Sequence, residues 1–277
     1  MTMSNKIINR LGSRFRRRFR FLLWPAAPLG ERASLWRSEQ ICKPADRKSR
    51  FPFRMMRYWW TLCALQDEAR YLGRPITVVD VGSGKGILRK YAGKSVQARW
   101  VGLDMKVDRA MLAEAGYDEL HACDFDQPLP VADSSADVVV FLHVLEHVPR
   151  PAFTLSELTR ILRPGGVLLA GSPVAPQWIA QARERLFRRQ LRQGKRKSGE
   201  HIHCFWPGRW SEMVRAEGLS LEMLTGAYLL RRAGNPLENT QWWLRLNQLW
   251  GALFPSLGGE VYLMARKTLS SPSPRGQ

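Results

Sequence analysis

The stretch VVDVGSGKGIL, residues 78–88, decides the fold. Three valines and an aspartate form an apolar, β-branched run of the kind that makes a buried strand. Three glycines at 82, 84 and 86 then turn the chain, and Gly86 to Tyr91 opens a helix. A strand that runs through a glycine turn into a helix brings backbone N–H groups up to a ligand with no Cβ in the way. The spacing is GxGxG, with Ile87 where the dinucleotide GxGxxG pattern has its last glycine. Asp80 puts a carboxylate at the end of the strand. A pyrophosphate would be repelled there, and a cationic ligand attracted.

Outward from this turn, strand and helix patterns alternate. ITVVDV is the first strand and ARWVGLD the second, followed by a helix through Met111 and Ala115. ELHACD is a short third strand. DVVVFLHV, almost wholly apolar, is a fourth that must be covered on both faces. Ala152 to Leu162 reads as a helix, RPGG as a turn and VLLAGSP as a fifth strand. This order predicts an α/β fold of Rossmann type, a parallel sheet with helices on both sides. Upstream, Pro52 to Leu72 forms a helix whose apolar face carries Met55, Trp59, Leu62, Leu65, Ala69 and Leu72, closed by Gly73 and Pro75. Downstream, 177–193 and 207–217 read as helices, and LSLEMLTGAYLL as a strand. QWWLRLNQLWGALF is an aromatic-rich helix, EVYLMARK a final strand and SSPSPRGQ a disordered tail.

Three acids mark strand ends. Asp104 closes the second strand, where an acid can accept both hydroxyls of a ribose. Asp124, in CDFD, follows the third strand, within reach of an adenine amino group. Open α/β sheets bind ligands at the carboxyl ends of their strands.

VVDVGSGKG, VGLD, CDFDQPLPVADSSADVVVFLHVLEHV and LRPGGVLLAGSP together resemble the class I S-adenosylmethionine-dependent methyltransferases. The group nearest to them includes the ubiquinone and menaquinone biosynthesis methyltransferases. The likeness covers residues 76–173 well and extends more loosely through GEHIHCFWPGRWSEMVRAEGL to the last strand. It implies a seven-stranded sheet with an antiparallel last strand, in a methyltransferase domain over 51–268 that carries a basic insertion at 177–200. Residues 1–50 would be a basic extension and 269–277 the tail. The cofactor it implies is S-adenosylmethionine. Asp80, Gly82, Ser83, Gly84 and Gly86 would face its methionine end, Asp104 and Met105 its ribose, and Asp124 with Phe125 its adenine. His143, ending the fourth strand, would border the methyl group.

Methyl transfer from a sulfonium is an in-line displacement that asks chiefly for alignment. It needs no metal, and none is expected. Some quinone O-methyltransferases have a Glu-x-x-Glu-His metal site where this chain has HVLEH, whose first position is His143. A hydroxyl or carbon acid would require a base, for which His143, His147, His201 and His203 are the candidates. Glu146 and His147 fit the start and packing of the next helix better than catalysis. In HIHC (201–204) no second Cys/His pair supports zinc, and a strand-like stretch would point His201 and His203 to one face, over the acceptor pocket.

Charge sorts the partners. Residues 1–57 hold 15 Lys/Arg against 3 acids and residues 183–197 hold 8 against 1, which accounts for the whole net charge of +19. The remainder is neutral. In IINRLGSRFRRRFRFLLWP, Ile8, Leu11, Phe15, Phe19 and Leu22 recur at helical spacing among arginines, so that 7–23 has the make-up of an interfacial helix, a transit peptide or a basic arm. With the 183–197 patch and Trp242, Trp243, Trp250 and Phe254, this favours a small-molecule or lipid-linked acceptor and an anionic membrane surface as partners. Methylation of RNA is the alternative, drawn by the same arginines. Against it, the fourth strand ends in FLHV, where base-amine methyltransferases have an NPPY-type sequence. No Pro-Cys nucleophile is present either. A non-catalytic adaptor, the second alternative, would have no use for acids at three strand ends. Cys42, Cys63, Cys123 and Cys204 lie far apart and suit a reducing compartment. The expected setting is cytoplasmic, peripheral at the inner membrane face where the basic segments meet lipid.

Overall fold

The computed structural model describes residues 19–31, 49–195, 200–229 and 235–269. Seven strands form one sheet: β1 (Ile76–Val81), β2 (Ala98–Asp104), β3 (Glu119–Ala122), β4 (Ala136–Leu142), β5 (Leu162–Pro173), β6 (Leu219–Gly226) and β7 (Glu260–Lys267). Their order is β3-β2-β1-β4-β5-β7-β6. The first five run parallel, and β7 lies antiparallel to both β5 and β6. The order reverses between β1 and β4, the place where such sheets open a crevice for a ligand.

Eight α-helices accompany the described strands. They are α1 (Ala27–Glu31), α2 (Met56–Leu72), α3 (Ile87–Ala92), α4 (Arg109–Ala115), α5 (Pro151–Ile161), α6 (Gln177–Arg192), α7 (Pro207–Ala216) and α8 (Gln241–Leu253). The period-two alternation of the strands divides the core. Val78, Val138, Val140, Val167, Leu169, Tyr262 and Met264 face the layer of α2, α3 and α8. Val79, Val139, Phe141, Leu168, Ala170 and Leu263 face α5 and α7. This is why the central strands read as unbroken apolar runs: both of their faces are covered.

Three details depart from the reading of the sequence. Arg163–Gly166 is not a separate turn. It belongs to β5 as a bulge, the register jumping from Ala136 opposite Leu162 to Val138 opposite Val167. HIHC is not a strand, and only Phe205, just after it, makes a lone bridge to Val174. Glu146 and His147 lie in a turn ahead of α5, which starts at Pro151.

The extension and the domain are also less separate than composition suggests. Phe21, Trp24 and Leu29 are buried in the core. Trp24 Nε1 donates to Asp67 (3.1 Å), and Trp59 Nε1 donates to the Pro25 carbonyl (2.9 Å). Most of the basic amphipathic segment, the loop at 196–199 and the tail at 270–277 lie outside the described residues.

Candidate active site

The carboxyl ends of β1, β2 and β3 bring the three acids to one edge. The glycine turn continues the ladder, Gly82 N and Ser83 N both donating to the Leu103 carbonyl (2.8 and 3.0 Å). Gly82 has φ +84°, and a Cβ there would stand 2.3 Å from Val144 Cγ2, so no larger residue fits. Gly84, at φ +54°, has no atom nearer to such a Cβ than 3.9 Å. The peptide at the middle of the turn is therefore open to a ligand.

Asp104 fixes the turn from the neighbouring strand. Its Oδ2 accepts the Gly84 N–H (2.8 Å) and its Oδ1 the Lys106 N–H (3.1 Å). A carboxylate has about four acceptor positions, so two remain for hydroxyls. Asp80 is buried, with Tyr117 donating to its Oδ2 (2.5 Å). Burial pushes its carboxyl up to about 6; the Tyr117 hydrogen bond works against this and the charge of Asp104 adds to it. Asp124 is exposed, one oxygen accepting the Asp126 N–H (2.9 Å). Met105 is exposed, whereas Phe125 is buried in the core under α5.

A second cluster lies where β4, β5 and β7 end. His143 has φ +57°, rare and strained for a residue with a side chain, and its N–H donates to the Gly171 carbonyl (2.8 Å). Its imidazole sits between two buried acids, Nδ1 3.5 Å from Glu146 Oε1 and Nε2 3.4 Å from Glu260 Oε2. Burial pushes Glu146 up to about 7. Glu260 behaves oppositely: burial would raise it, but Arg57 (3.1 Å), His143 and the Tyr262 hydroxyl (2.9 Å) hold it far below the usual carboxylate range.

The segment after the basic loop closes over this cluster, with Ile202 N and His203 N both donating to the Glu146 carbonyl (2.8 and 3.2 Å). A cavity of about 130 Å³ results, lined among others by Glu146, Arg183, Phe187, His201, His203 and Phe205. His203 Nδ1 faces Glu184 (3.3 Å), and the His201 ring packs edge-on against His147, with centroids 4.7 Å apart. Glu146, His147 and His201 each offer one ligand atom, all within 4.8 Å of one another, close enough to share a cation. Of the candidate bases, His201 and His203 line the cavity, while His143 stands behind Glu146.

Sequence reasoning missed Glu260, Arg57 and Tyr117, and gave Glu146 only a packing role. The one local signal was an acid just ahead of the apolar run VYLMA in the last strand.

This sheet order and the acid–glycine edge define a class I methyltransferase fold. Residues 79–170 match the family described as Methyltransferase domain. The chain is 31% identical to a ubiquinone biosynthesis O-methyltransferase of Thiobacillus denitrificans over 54% of its own length and 66% of that protein. It is 37% identical to a probable S-adenosylmethionine-dependent methyltransferase of Mycolicibacterium smegmatis, over 35% of this chain and 37% of the other. It thus spans less than two thirds of these relatives. A putative sarcosine dimethylglycine methyltransferase from Galdieria sulphuraria has the same fold, with TM-score 0.57 and 16% identity over 85% of this chain and 96% of that one.

The cofactor of this class is S-adenosylmethionine, and the residues fit it. The Gly84 backbone is open, and Asp104 keeps acceptor capacity. Ser83 Oγ, buried in the turn, has no hydrogen-bond partner. Among the described residues no helix is long and apolar enough to cross a membrane.

Proposed function

We propose that this protein moves the methyl group of S-adenosylmethionine to an oxygen, nitrogen or carbon nucleophile of a small, amphiphilic or lipid-linked acceptor. The observation that carries this reading is the edge of three acids on adjoining strands, next to a cavity lined by imidazole and aromatic groups. Asp80 and the glycine turn would hold the methionine end, Asp104 the ribose, and Asp124 the adenine amino group. Phe125, being buried, would act as the floor of the adenine site and not as a stacking surface.

In the transfer, the acceptor's lone pair attacks the methyl carbon as the carbon–sulfur bond breaks, leaving S-adenosylhomocysteine. The acceptor's proton goes to a neighbouring base, the place His143, His201 or His203 would fill. Phe187 and Phe205 give the acceptor an apolar wall, and Arg183, which makes no ion pair among the described residues, stands at the same cavity. The name of the Thiobacillus relative supports an O-linked reaction on a quinone precursor as one member of this acceptor class.

The test is incubation of the purified protein with cell extract and S-adenosylmethionine labelled in the methyl group, read by mass spectrometry. A labelled lipid-soluble or small polar product is expected. Label found only in RNA, or no transfer by a protein that binds the donor, would overturn the reading.

A further inference from the structure

Helix α8 presents the wrong face to water. Its buried side includes Asn247 and Gln248, both almost wholly enclosed. Its outward side carries Trp242, Leu246, Leu249 and Leu253, exposed by 58%, 43%, 39% and 50%. These positions step by four, three and four residues and form one stripe. Phe254 and Leu257, in the turn that follows, extend it.

The orientation is fixed from within. Asn247 Oδ1 accepts the Leu229 N–H (2.8 Å), its Nδ2 donates to the Trp243 carbonyl (2.8 Å), and Arg245 donates to Gln248 Oε1 (2.9 Å). Gly251 lies so close to Gly226 that a Cβ on it would be 2.1 Å from the Gly226 carbonyl oxygen. Rotating the helix to hide the leucines would break the bond to Leu229 and the close approach of Gly251 to Gly226. A contiguous apolar patch held outward in this way marks a surface that something covers.

Two further observations identify the occupant. Arg245 Nη2 donates to the Trp24 carbonyl (2.6 Å), and the 3₁₀ turn Arg20–Leu23 packs on α8. Residues 1–18, which lead directly into that turn, contain six Lys/Arg and no acid. The stripe therefore borders the start of the most basic part of the chain. A second copy on this face would bring a like-charged run against the first, whereas an anionic bilayer neutralises both the charge and the apolar area. At its other end the stripe leads through Pro255–Leu257 to Glu260, which touches His143.

We propose that the outward face of α8 is a docking surface for an anionic lipid bilayer. Trp242, Leu246, Leu249, Leu253 and Phe254 enter the headgroup layer, and the positive charge carried by the sequence of residues 1–18 adds to the attraction. The docking does not depend on the proposed methyl transfer.

The experiment is sedimentation of the full chain with vesicles of phosphatidylglycerol and phosphatidylcholine, and with phosphatidylcholine vesicles alone. It compares wild type with L246E/L249E, two exposed positions away from the site. Wild type should sediment with the anionic vesicles, and the variant should bind them at least about tenfold more weakly, with thermal midpoint and S-adenosylmethionine affinity unchanged. Equal vesicle binding by both proteins would overturn the proposal. So would a wild type that ignores vesicles and forms a dimer that the variant loses. Donor affinity, measured on the same samples, tells failure of docking from failure of the methyl-transfer reading.

Discussion

Asp80 offers the sharpest quantitative test. Its carboxyl is buried beneath the glycine turn, has one hydroxyl donor in Tyr117 and is raised by burial from 3.8 to about 6. The native protein therefore holds this proton more tightly than the unfolded chain does. The stability it confers is complete below about pH 4 and is lost as pH rises through 6. A shift of about two units is worth about 3 kcal/mol. Asp80→Asn replaces the protonated acid by a neutral group of the same shape. The variant should match wild type near pH 3 and exceed it by up to about 3 kcal/mol at pH 7.5, read from urea midpoints across that range. In the proposed site the ionised carboxylate would be matched by the positive charge of the donor. The wild-type preference for S-adenosylmethionine over the uncharged thioether S-adenosylhomocysteine should therefore grow between pH 5 and 7, and the variant's should not. Parallel urea curves, or a preference that ignores pH in both proteins, would refute the reasoning.

Other perturbations follow from the same geometry. Asp104→Ala removes the anchor of Gly84 together with the acceptors left for the ribose. Donor affinity should fall about 100-fold by calorimetry, near 3 kcal/mol, with little change in melting, and a loss under threefold would contradict the assignment. Gly82→Ala places a Cβ against Val144 at positive φ and should cost about 2–3 kcal/mol in chemical denaturation. Adding Val144→Ala should recover only the steric part. Arg57→Met strands the buried Glu260 carboxylate and should destabilise by about 3–5 kcal/mol. The double variant R57M/E260Q should regain most of this, and equal losses would show that the pair is not coupled.

The fold and the donor edge were legible because each signal is local. A run of valines, three glycines and an acid are neighbours in sequence, and the alternation of Val78 and Val79 between two core layers follows from the pleat alone. The second cluster had no such signature. His143 is held between Glu146, three residues on, and Glu260, from the last strand, which is in turn neutralised by Arg57 at the start of α2. His201 meets His147 only because two backbone N–H groups of its segment bond to the Glu146 carbonyl.

By itself, the chain's sequence determined an α/β sheet with acids at successive strand tips, because hydrophobic periodicity and turn chemistry act over a few residues. Tertiary structure alone decided which groups share the cavity beside Glu146 and which side of α8 is turned outward. In QWWLRLNQLWGAL both stripes are apolar enough to be the core face, so periodicity cannot choose between them. The choice is made by the contact of Gly251 with Gly226 and by the bond from Leu229 to Asn247, both long-range in the chain.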